Sequence, residues 1–393
     1  FDGSGLSVLL DVLAYNTHYN ALNAHYSLNE AFLDSAQIRG NVVTRAKLLG
    51  YVPRSVLAPR ATVDISVDTT GESQIANSLT LPRGAKLKTN VSGDSFNYVV
   101  LSDTSVTHDA TNNRYLFPDV QIAQGVYKSM AYRVDNDIEN QKFQLGDKDA
   151  DVSTLRVRLQ QNEEAVSFDI YTPFSTLLNL DSTSQIYYTQ ENPSELFEVY
   201  FGDGVIGKKP VNNNIVTLDY VHTQGPESNG AGGAINSTTG FNMIDNIVGR
   251  DPSNNNVSYS SITVTTKALS SGGTERETME SIRFNAPLSF TSQNRAVTSD
   301  DYRSIILRNF SNISSISTWG GEDNDPVDFG RVYISIKPLT ADLLTTVEKQ
   351  NIKEAILKGK NIVSVTPEIV DPAFTNLEPV SYTHLTLPTI CSV

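Results

Sequence analysis

Hydrophobic positions near the start of the chain recur at helical spacing. The first helix is indicated by leucines on successive turns, Leu6, Leu9, Leu10 and Leu13, and Ser4 or Ser7 can cap its first N–H groups. A second apolar stripe predicts a helix over residues 29–49, and Gly50 stands where many helices end in a left-handed residue. We therefore predict an N-terminal helical segment over residues 1–60.

From residue 61 the pattern changes to alternation of apolar and polar positions. Val63, Ile65 and Val67 alternate with polar residues, as expected of a half-buried strand. Similar short runs continue to residue 270, apart from a Gly/Ser/Asn-rich loop over residues 225–241. Closely spaced short strands favour sandwich-like or barrel-like packing over a doubly wound sheet. Residues 61–270 are therefore predicted to be β-rich.

After residue 270, helical and strand patterns alternate. Two helices are predicted, over residues 274–287 and from Asp301 to residue 309, the second capped by Thr298 or Ser299. Two strands follow, the second with Val332, Ile334 and Ile336 on one face. A helix over residues 340–358 should cover that face with Leu343, Leu344, Val347 and Ile356, before a last strand. The expected fold class is multidomain α+β: a helical segment, a β-rich middle and a C-terminal α/β module over residues 271–378.

The last segment, residues 379–393, departs from every pattern before it. It ends in YTHLTLPTICSV and resembles translated adapter sequence, so we expect it to be non-native and loosely packed. It also holds Cys391, the only cysteine, which excludes an intrachain disulfide and fits folding in a reducing cytoplasm. The chain starts at Phe1 rather than at Met, and we expect the natural N-terminus to be missing.

Composition and net charge limit the classes of partner that the chain is expected to bind. The 393 residues suffice for two or three domains, and 39% hydrophobic residues with a mean hydropathy of −0.24 suit a protein rich in loops. The formal net charge of −14, without a compensating Lys/Arg cluster, repels nucleic-acid phosphates and anionic membranes. No apolar run approaches the roughly 20 residues that span a bilayer. We therefore expect neither nucleic acid nor a membrane as a partner.

The segment GDGVIG, residues 202–207, matches the G-x-G-x-x-G pattern of dinucleotide-binding loops. Such a loop needs a strand before it and a helix after it, because the helix N-terminus holds the pyrophosphate. The strand FEVYF precedes the glycines, but Pro210 and an Asn run stand where the helix would begin. We therefore predict a connection between two β-strands that binds no nucleotide.

The other candidate sites favour structural roles. Asp300 and Asp301 fall in a first helical turn, where carboxylates cap the helix and interact favourably with its dipole. The acidic segment over residues 322–328 offers oxygen ligands but lacks the Gly and distal Glu of an EF-hand loop, so we predict a solvated hairpin tip. His18 and His25 could supply two nitrogen ligands, but two ligands without a third group rarely bind zinc. We predict no catalytic, cofactor-binding or metal-ligating residue, and hence no enzyme.

Two stretches resemble the baseplate J-like family. The first is FEVYFGDGVIGKKP, in which the family pattern is held by Gly202, Asp203, Gly204, Gly207 and Pro210. The second contains the run RAVTSDDY, in which the family positions are Arg295, Thr298, Asp301 and Tyr302. The N-terminal stretch up to residue 55 is similar to the start of wedge ring proteins in large contractile-tailed phages. The resemblance covers nearly all of residues 1–378, and we expect the C-terminal domains of longer members to be absent.

The resemblance implies a mechanical function. Family members of this kind dimerise and form a ring around the central hub of the baseplate, and the ring rearranges when the tail contracts. The implied partners are copies of the chain itself, other wedge subunits, the sheath-initiating protein and the hub. The implied location is the virion tail baseplate, after assembly in the cytoplasm of the host bacterium. No catalytic residue and no cofactor carries over.

The hydrophobic pattern adds a candidate interface. The apolar residues of the N-terminal helices outnumber what a helix hairpin can bury internally, so we expect some of them to meet another chain or domain. The expected contacts are Leu6, Leu10, Leu13 and Phe32. Two other functions stay open: a glycan-degrading tail enzyme, which needs two carboxylates across a cleft, and a carbohydrate-binding adhesin, which needs exposed aromatics along a groove.

Overall fold

The structure, a computed structural model, describes residues 4–72, 75–91, 93–174, 180–250, 256–293, 295–309, 313–338, 343–344, 349–350, 352–357, 360–361 and 364–374. Its helices are α1 Gly5–Asn29, α2 Arg39–Leu48, α3 Met279–Ser292 and α4 Ser299–Asn309, with a π-helical turn over Ile352–Leu357. Its strands are β1 Arg60–Asp68, β2 Ser78–Leu81, β3 Lys86–Val91, β4 Asp94–Val100, β5 Thr104–Thr107, β6 Arg114–Gln124, β7 Val126–Arg133, β8 Phe143–Gln144, β9 Ala150–Gln160, β10 Phe168–Pro173, β11 Ile186–Glu191, β12 Phe197–Phe201, β13 Ile215–His222, β14 Asn242–Met243, β15 Ile247–Arg250, β16 Asn256–Tyr259, β17 Ile262–Ser271, β18 Ser315–Gly320, β19 Arg331–Lys337 and β20 Thr366–Val370.

The first sheet combines two separate stretches of the chain. Its order is β14-β3-β4-β6-β1-β17, so strands from before and after the second sheet pair with each other. The alternation predicted for β1 is confirmed, because Val63, Ile65 and Val67 are fully buried. They pack in a core that includes Tyr115 and Phe117 and residues of the two-stranded ribbons β2–β5 and β15–β16. The ribbons thus close this core.

The second sheet is inserted into the first. β6 ends at Gln124, and the seven-stranded sheet β7-β13-β9-β10-β11-β12-β8 occupies the chain up to His222. The sheet curls, since the Tyr132 hydroxyl of β7 donates to the Gln144 carbonyl of β8 at 2.7 Å. Gly125 makes the turn between the sheets at φ +133°, where a Cβ would lie 2.2 Å from the His222 carbonyl oxygen. The β-rich middle therefore contains two hydrophobic cores.

The helices α2 and α3, here called the helix pair, pack against each other although both sheets lie between them in the chain. Val42 and Val43 of α2 and Ile282 and Ala286 of α3 share one buried cluster. Beside it, Leu57 and Thr274 form an antiparallel bridge. The chain thus enters and leaves its β-rich middle at one place.

The C-terminal module packs α4 on the sheet β18-β19-β20. Ile334 and Ile336 are fully buried as predicted, and Leu344 also belongs to this core. Leu343 is 48% exposed, so the prediction is wrong for this residue, because adjacent side chains point in different directions. Within the described residues, β20 pairs with β19 alone. Val347, the side chain of Ile356 and residues 379–393, with Cys391, lie outside the described residues.

Three helix boundaries differ from the prediction. The second helix begins at Arg39 rather than at residue 29, because α1 extends to Asn29 and a turn follows it. α3 begins at Met279 rather than near residue 274, where the chain is still paired with Leu57. α3 also continues beyond Pro287 to its end at Ser292. A proline removes its own N–H donor, but the residues after it still supply theirs.

Candidate assembly surface

The helix α1 adds no side chain to any of the cores. Ser4 caps its start by accepting the Ser7 N–H at 3.3 Å, as predicted, and none of its 25 residues, all of which the structure describes, is buried. Asp11 is the single Asp, Glu, Lys or Arg of the helix. Apolar side chains without a partner in their own chain are typical of a surface that meets another protein.

Two apolar strips run along α1, on opposite sides, because successive helical residues are rotated by about 100°. The predicted contacts Leu6, Leu10 and Leu13 form one strip, and these residues and Phe32, beyond the end of α1, are each more than half exposed. The second strip was not predicted; it consists of the exposed residues Val8, Val12, Tyr15, Tyr19, Leu22 and Tyr26. Its alternating spacing of four and three residues is the signal that could have revealed it, since this is the heptad spacing of coiled-coil contacts. That these residues form an interface stays a prediction.

The turn between α1 and α2 is held by one carboxylate. Glu30 accepts the backbone N–H of Gln37 at 2.8 Å, that of Ile38 at 3.4 Å and the side-chain amide of Asn41 at 2.8 Å. Ile38, the residue before α2, has no side-chain oxygen and therefore cannot cap the helix. The Glu30 carboxylate accepts N–H groups at the start of α2 in its place. These bonds, first that from Asn41, hold the pKa of Glu30 below its ordinary value. The direction of α1 therefore depends on this carboxylate.

The first signature segment forms a closed turn between β12 and β13, which confirms the predicted strand connection. Residues 202–214, all described, contain no helix. The Asp203 carboxylate accepts the N–H groups of Val205 at 2.9 Å and Ile206 at 3.1 Å, and these bonds lower its pKa. The Gly204 N–H donates to the Gly207 carbonyl at 3.1 Å. Gly207 and Pro210 are buried beneath the turn.

The second signature segment caps α4. The Asp301 carboxylate accepts the N–H groups of Thr298 at 2.9 Å and Val297 at 3.2 Å, and Thr298 Oγ1 accepts the Asp301 N–H at 3.3 Å. This reciprocal pair is a capping box and confirms the capping role predicted for Asp301. Tyr302 is buried in the core of the module, and Arg295 is exposed on the turn between α3 and α4. The two signature segments lie in different units, and no hydrogen bond or ion pair joins them among the described residues.

The acidic segment over residues 322–328 connects β18 to β19, as predicted for a hairpin tip. Asp328 accepts the Tyr333 hydroxyl at 2.7 Å and pairs with Arg331 at 3.3 Å. His18 and His25 lie exposed on α1. In the described ranges, no three or more His, Cys, Asp or Glu side chains are grouped so as to hold a metal ion. None of the described helices has the length and apolar character needed to cross a membrane.

Three domain families match the chain in order. Residues 1–51 match the helical domain of the family described as baseplate wedge protein gp6-like, and residues 60–125 match baseplate wedge protein gp6, domain II. Residues 298–370 match baseplate structural protein gp6, C-terminal domain I. These matches, in three separate regions of the chain, support a baseplate wedge protein family. The first match holds α1, the second ends where the inserted sheet begins, and the third starts at the cap of α4.

The baseplate wedge protein gp6 of Enterobacteria phage T4 is 29% identical over an alignment of 395 residues, which covers 95% of this chain and 56% of that protein. The chain thus spans little more than half the length of this relative. A chain of the anti-feeding prophage (AFP) baseplate is 15% identical, with a TM-score of 0.27 over 94% of this chain and 72% of that one. A chain of the type VI secretion system TssK-TssF-TssG baseplate subcomplex is 7% identical, with a TM-score of 0.33 over 84% and 89%.

Proposed function

We propose that the chain is a structural, non-enzymatic subunit of the baseplate wedge of a contractile phage tail. Copies of it would form the ring around the central hub, and this ring would rearrange during contraction. The ordered domain matches and the identity to the T4 wedge protein support the proposal. The observation that carries it is α1, a 25-residue helix with two apolar strips and no buried residue. The comparisons support neither the glycan-degrading enzyme nor the adhesin.

The proposed partners are further copies of the chain, other wedge subunits, the sheath-initiating protein and the hub, with a homodimer as the repeating unit. A helix with apolar strips on opposite sides fits between two partner helices rather than against one. Burying one large apolar side chain contributes about 1.5–3 kcal/mol. Several such side chains are needed to exceed an association cost of about 4–15 kcal/mol, and both strips together supply them.

The proposal also covers the location of the chain and the roles of its three parts. The chain would act in the virion tail baseplate after assembly in the host cytoplasm. Its helical segment over residues 1–60, its β-rich part over residues 61–270 and its module over residues 271–378 would each carry a share of the contacts. The signature residues would then serve the fold, since they form a closed turn and a helix cap.

The test places one carboxylate in each strip. We expect Leu10→Asp and Tyr15→Asp to prevent incorporation into wedge complexes when the chain is co-expressed with the other wedge subunits of its phage. The matched control is His25→Asp, which adds the same side chain to the polar side of α1. Circular dichroism should be unchanged in all three variants, since α1 packs on no core. Normal incorporation of folded Leu10→Asp and Tyr15→Asp would refute the proposed role of α1.

A further inference from the structure

A buried ion cluster joins the helix pair to the inserted sheet. Arg39, the first residue of α2, binds both carboxylate oxygens of Glu191 at the end of β11, with Nε–Oε1 at 2.8 Å and Nη2–Oε2 at 3.0 Å. The side chain of Glu191 is fully buried, and that of Arg39 is 13% exposed. Arg276, shortly before α3, approaches the same carboxylate at 3.9 Å and pairs with Glu195 at 3.2 Å. Two arginines from the ends of the helix pair thus converge on one carboxylate of the sheet.

The same two arginines also donate hydrogen bonds to backbone carbonyls on both sides of the contact. Arg39 Nη1 donates to the Glu277 carbonyl at 2.5 Å, and Arg276 Nη2 donates to the carbonyls of Lys148 and Glu195 at 2.8 Å each. The buried cluster of the helix pair and the core of the inserted sheet share no residue. The bonds of the two arginines are therefore the directional part of this contact, beside the close approach of Gly40 to the backbone of Pro193.

The position of Arg39 contradicts the local rules for a helix start. A cation in the first turn opposes the helix dipole, and Ile38 before it makes no side-chain cap. The other end of α2 follows the rules, since Arg45 and Lys47 lie in its last turn. A locally unfavourable residue with a buried distant partner indicates that the distant contact is the reason for its presence.

A buried ion pair adds little net stability, because removing both charges from water offsets their attraction. Its best-attested effect is to fix the register of the elements it joins. A second attachment lies after α2, where the Ala58 N–H donates to the buried Asp151 carboxylate of β9 at 3.0 Å. The ion cluster holds the start of α2, and Ala58 provides a second attachment to the inserted sheet later in the same segment.

We propose that Arg39, Glu191 and Arg276 form an orientation lock, which holds the helix pair at one angle on the inserted sheet. The two then move as one rigid body. The lock itself is a property of the isolated chain. Its role in the baseplate rests on the proposed function. If a neighbouring subunit displaced α1, the helix pair would carry the inserted sheet with it, because the lock prevents movement between the two.

Pulsed electron spin resonance on the full chain can test the lock. Cys391→Ser removes the single cysteine of the chain, and labels are attached to Phe284→Cys in α3 and Ile170→Cys in β10, both exposed. The chain with the lock intact should give one narrow distance distribution. Arg39→Met with Glu191→Met removes both charges and leaves neither of them unpaired. We expect this variant to lose the narrow distribution while its unfolding midpoint stays close to that of the parent.

The matched control is Arg133→Met with Glu163→Met, an exposed ion pair of the same sheet, which should keep the narrow distribution. If the double methionine variant does not fold, Arg39→Lys replaces it, because an ammonium cannot bridge both Glu191 oxygens and the Glu277 carbonyl. A narrow distribution in whichever of these variants folds would overturn the lock. This outcome is independent of wedge incorporation, so the proposed function and the lock fail separately.

Discussion

The three signature glycines of the turn after β12 form a graded series for substitution by alanine. Gly204 has φ +92°, and the nearest atom to an added Cβ lies 3.8 Å away, so the space is open. Gly207 has φ +89°, and its Cβ would lie 2.8 Å from Cγ1 of Ile186. A Cβ on Gly202, whose φ is ordinary, would lie 2.2 Å from the Ile206 carbonyl oxygen and 2.6 Å from that of Gly207. Each glycine is therefore required for a different reason.

These neighbours set the expected losses in stability of the inserted sheet. Gly204→Ala bears backbone strain alone, about 1–2 kcal/mol. Gly207→Ala adds overlap with a buried side chain, for a total of about 2–4 kcal/mol. Gly202→Ala meets two backbone oxygens in a turn that is itself tied, since the Gly207 N–H donates to the Asp181 carbonyl at 2.9 Å. The turn must open, and with about 1 kcal/mol for each lost hydrogen bond we expect about 3–5 kcal/mol.

Hydrogen exchange measured by mass spectrometry gives the free energy of opening for peptides that cover β11, β12 and β13. The order of loss should be Gly204→Ala, then Gly207→Ala, then Gly202→Ala. Gly230→Ala is the control: it has φ +84° with no described atom within 4 Å of an added Cβ, and it lies outside the inserted sheet. It should leave these peptides unchanged. Equal protection in Gly202→Ala and Gly204→Ala would refute the reasoning, because it would show that the turn yields without cost.

Three further predictions concern single contacts. Asp219→Asn breaks a buried ion pair with Arg158 at 2.6 Å and should lower the free energy of unfolding by about 3 kcal/mol in thermal unfolding. Glu163→Gln, in an exposed ion pair, should lower it by at most about 0.5 kcal/mol. Equal losses in the two variants would contradict this prediction. Thr298→Val removes one half of the α4 cap and should lower the protection of α4 by about 1 kcal/mol in hydrogen exchange; unchanged protection would contradict it. The lowered pKa of Glu30 means that its contribution is present above the unfolded pKa, about 4.3, and is lost as the pH falls through the lower folded value. The amide signals of Gln37 and Ile38 should shift in that window by NMR and stay constant in Glu30→Gln.

Local patterns predicted the elements whose burial alternates along the chain. β1 and β19 are examples, because each has one face packed in a core. The strands β2 and β15 were not predicted, since each has only four residues. β2 pairs with β5, beyond β3 and β4, whereas β15 pairs with the neighbouring β16. The start of α2 was predicted wrongly for a related reason: the turn before it is formed by hydrogen bonds that Glu30 accepts from residues several positions later, and such bonds leave no periodicity in the sequence.

The candidate surface was predictable in part. The leucine strip of α1 follows from helical spacing, whereas the tyrosine-rich strip needed the longer heptad period. The closed turn could be inferred from Pro210, but the close approaches that require its glycines depend on folded geometry. Arg39 and Glu191 stand 152 positions apart, and nothing near Glu191 in the sequence marks it as a partner. The local sign of that contact, an arginine in the first turn of a helix, becomes visible only once α2 is known to begin at Arg39.

The insertion of one sheet into the other also determines the order in which the chain can fold. The pairing of Arg60 with Ser271 joins positions far apart, and an unfolded chain between them would pay the entropy of closing a long loop. Once the inserted sheet has folded, its two ends are already together, since the Thr223 hydroxyl donates to Gln124 Oε1 at 2.6 Å. The loop to be closed is then much shorter. Folding should therefore proceed from the inside outwards, and we expect α2 and α3 to meet last, even though α2 leaves the ribosome before α3.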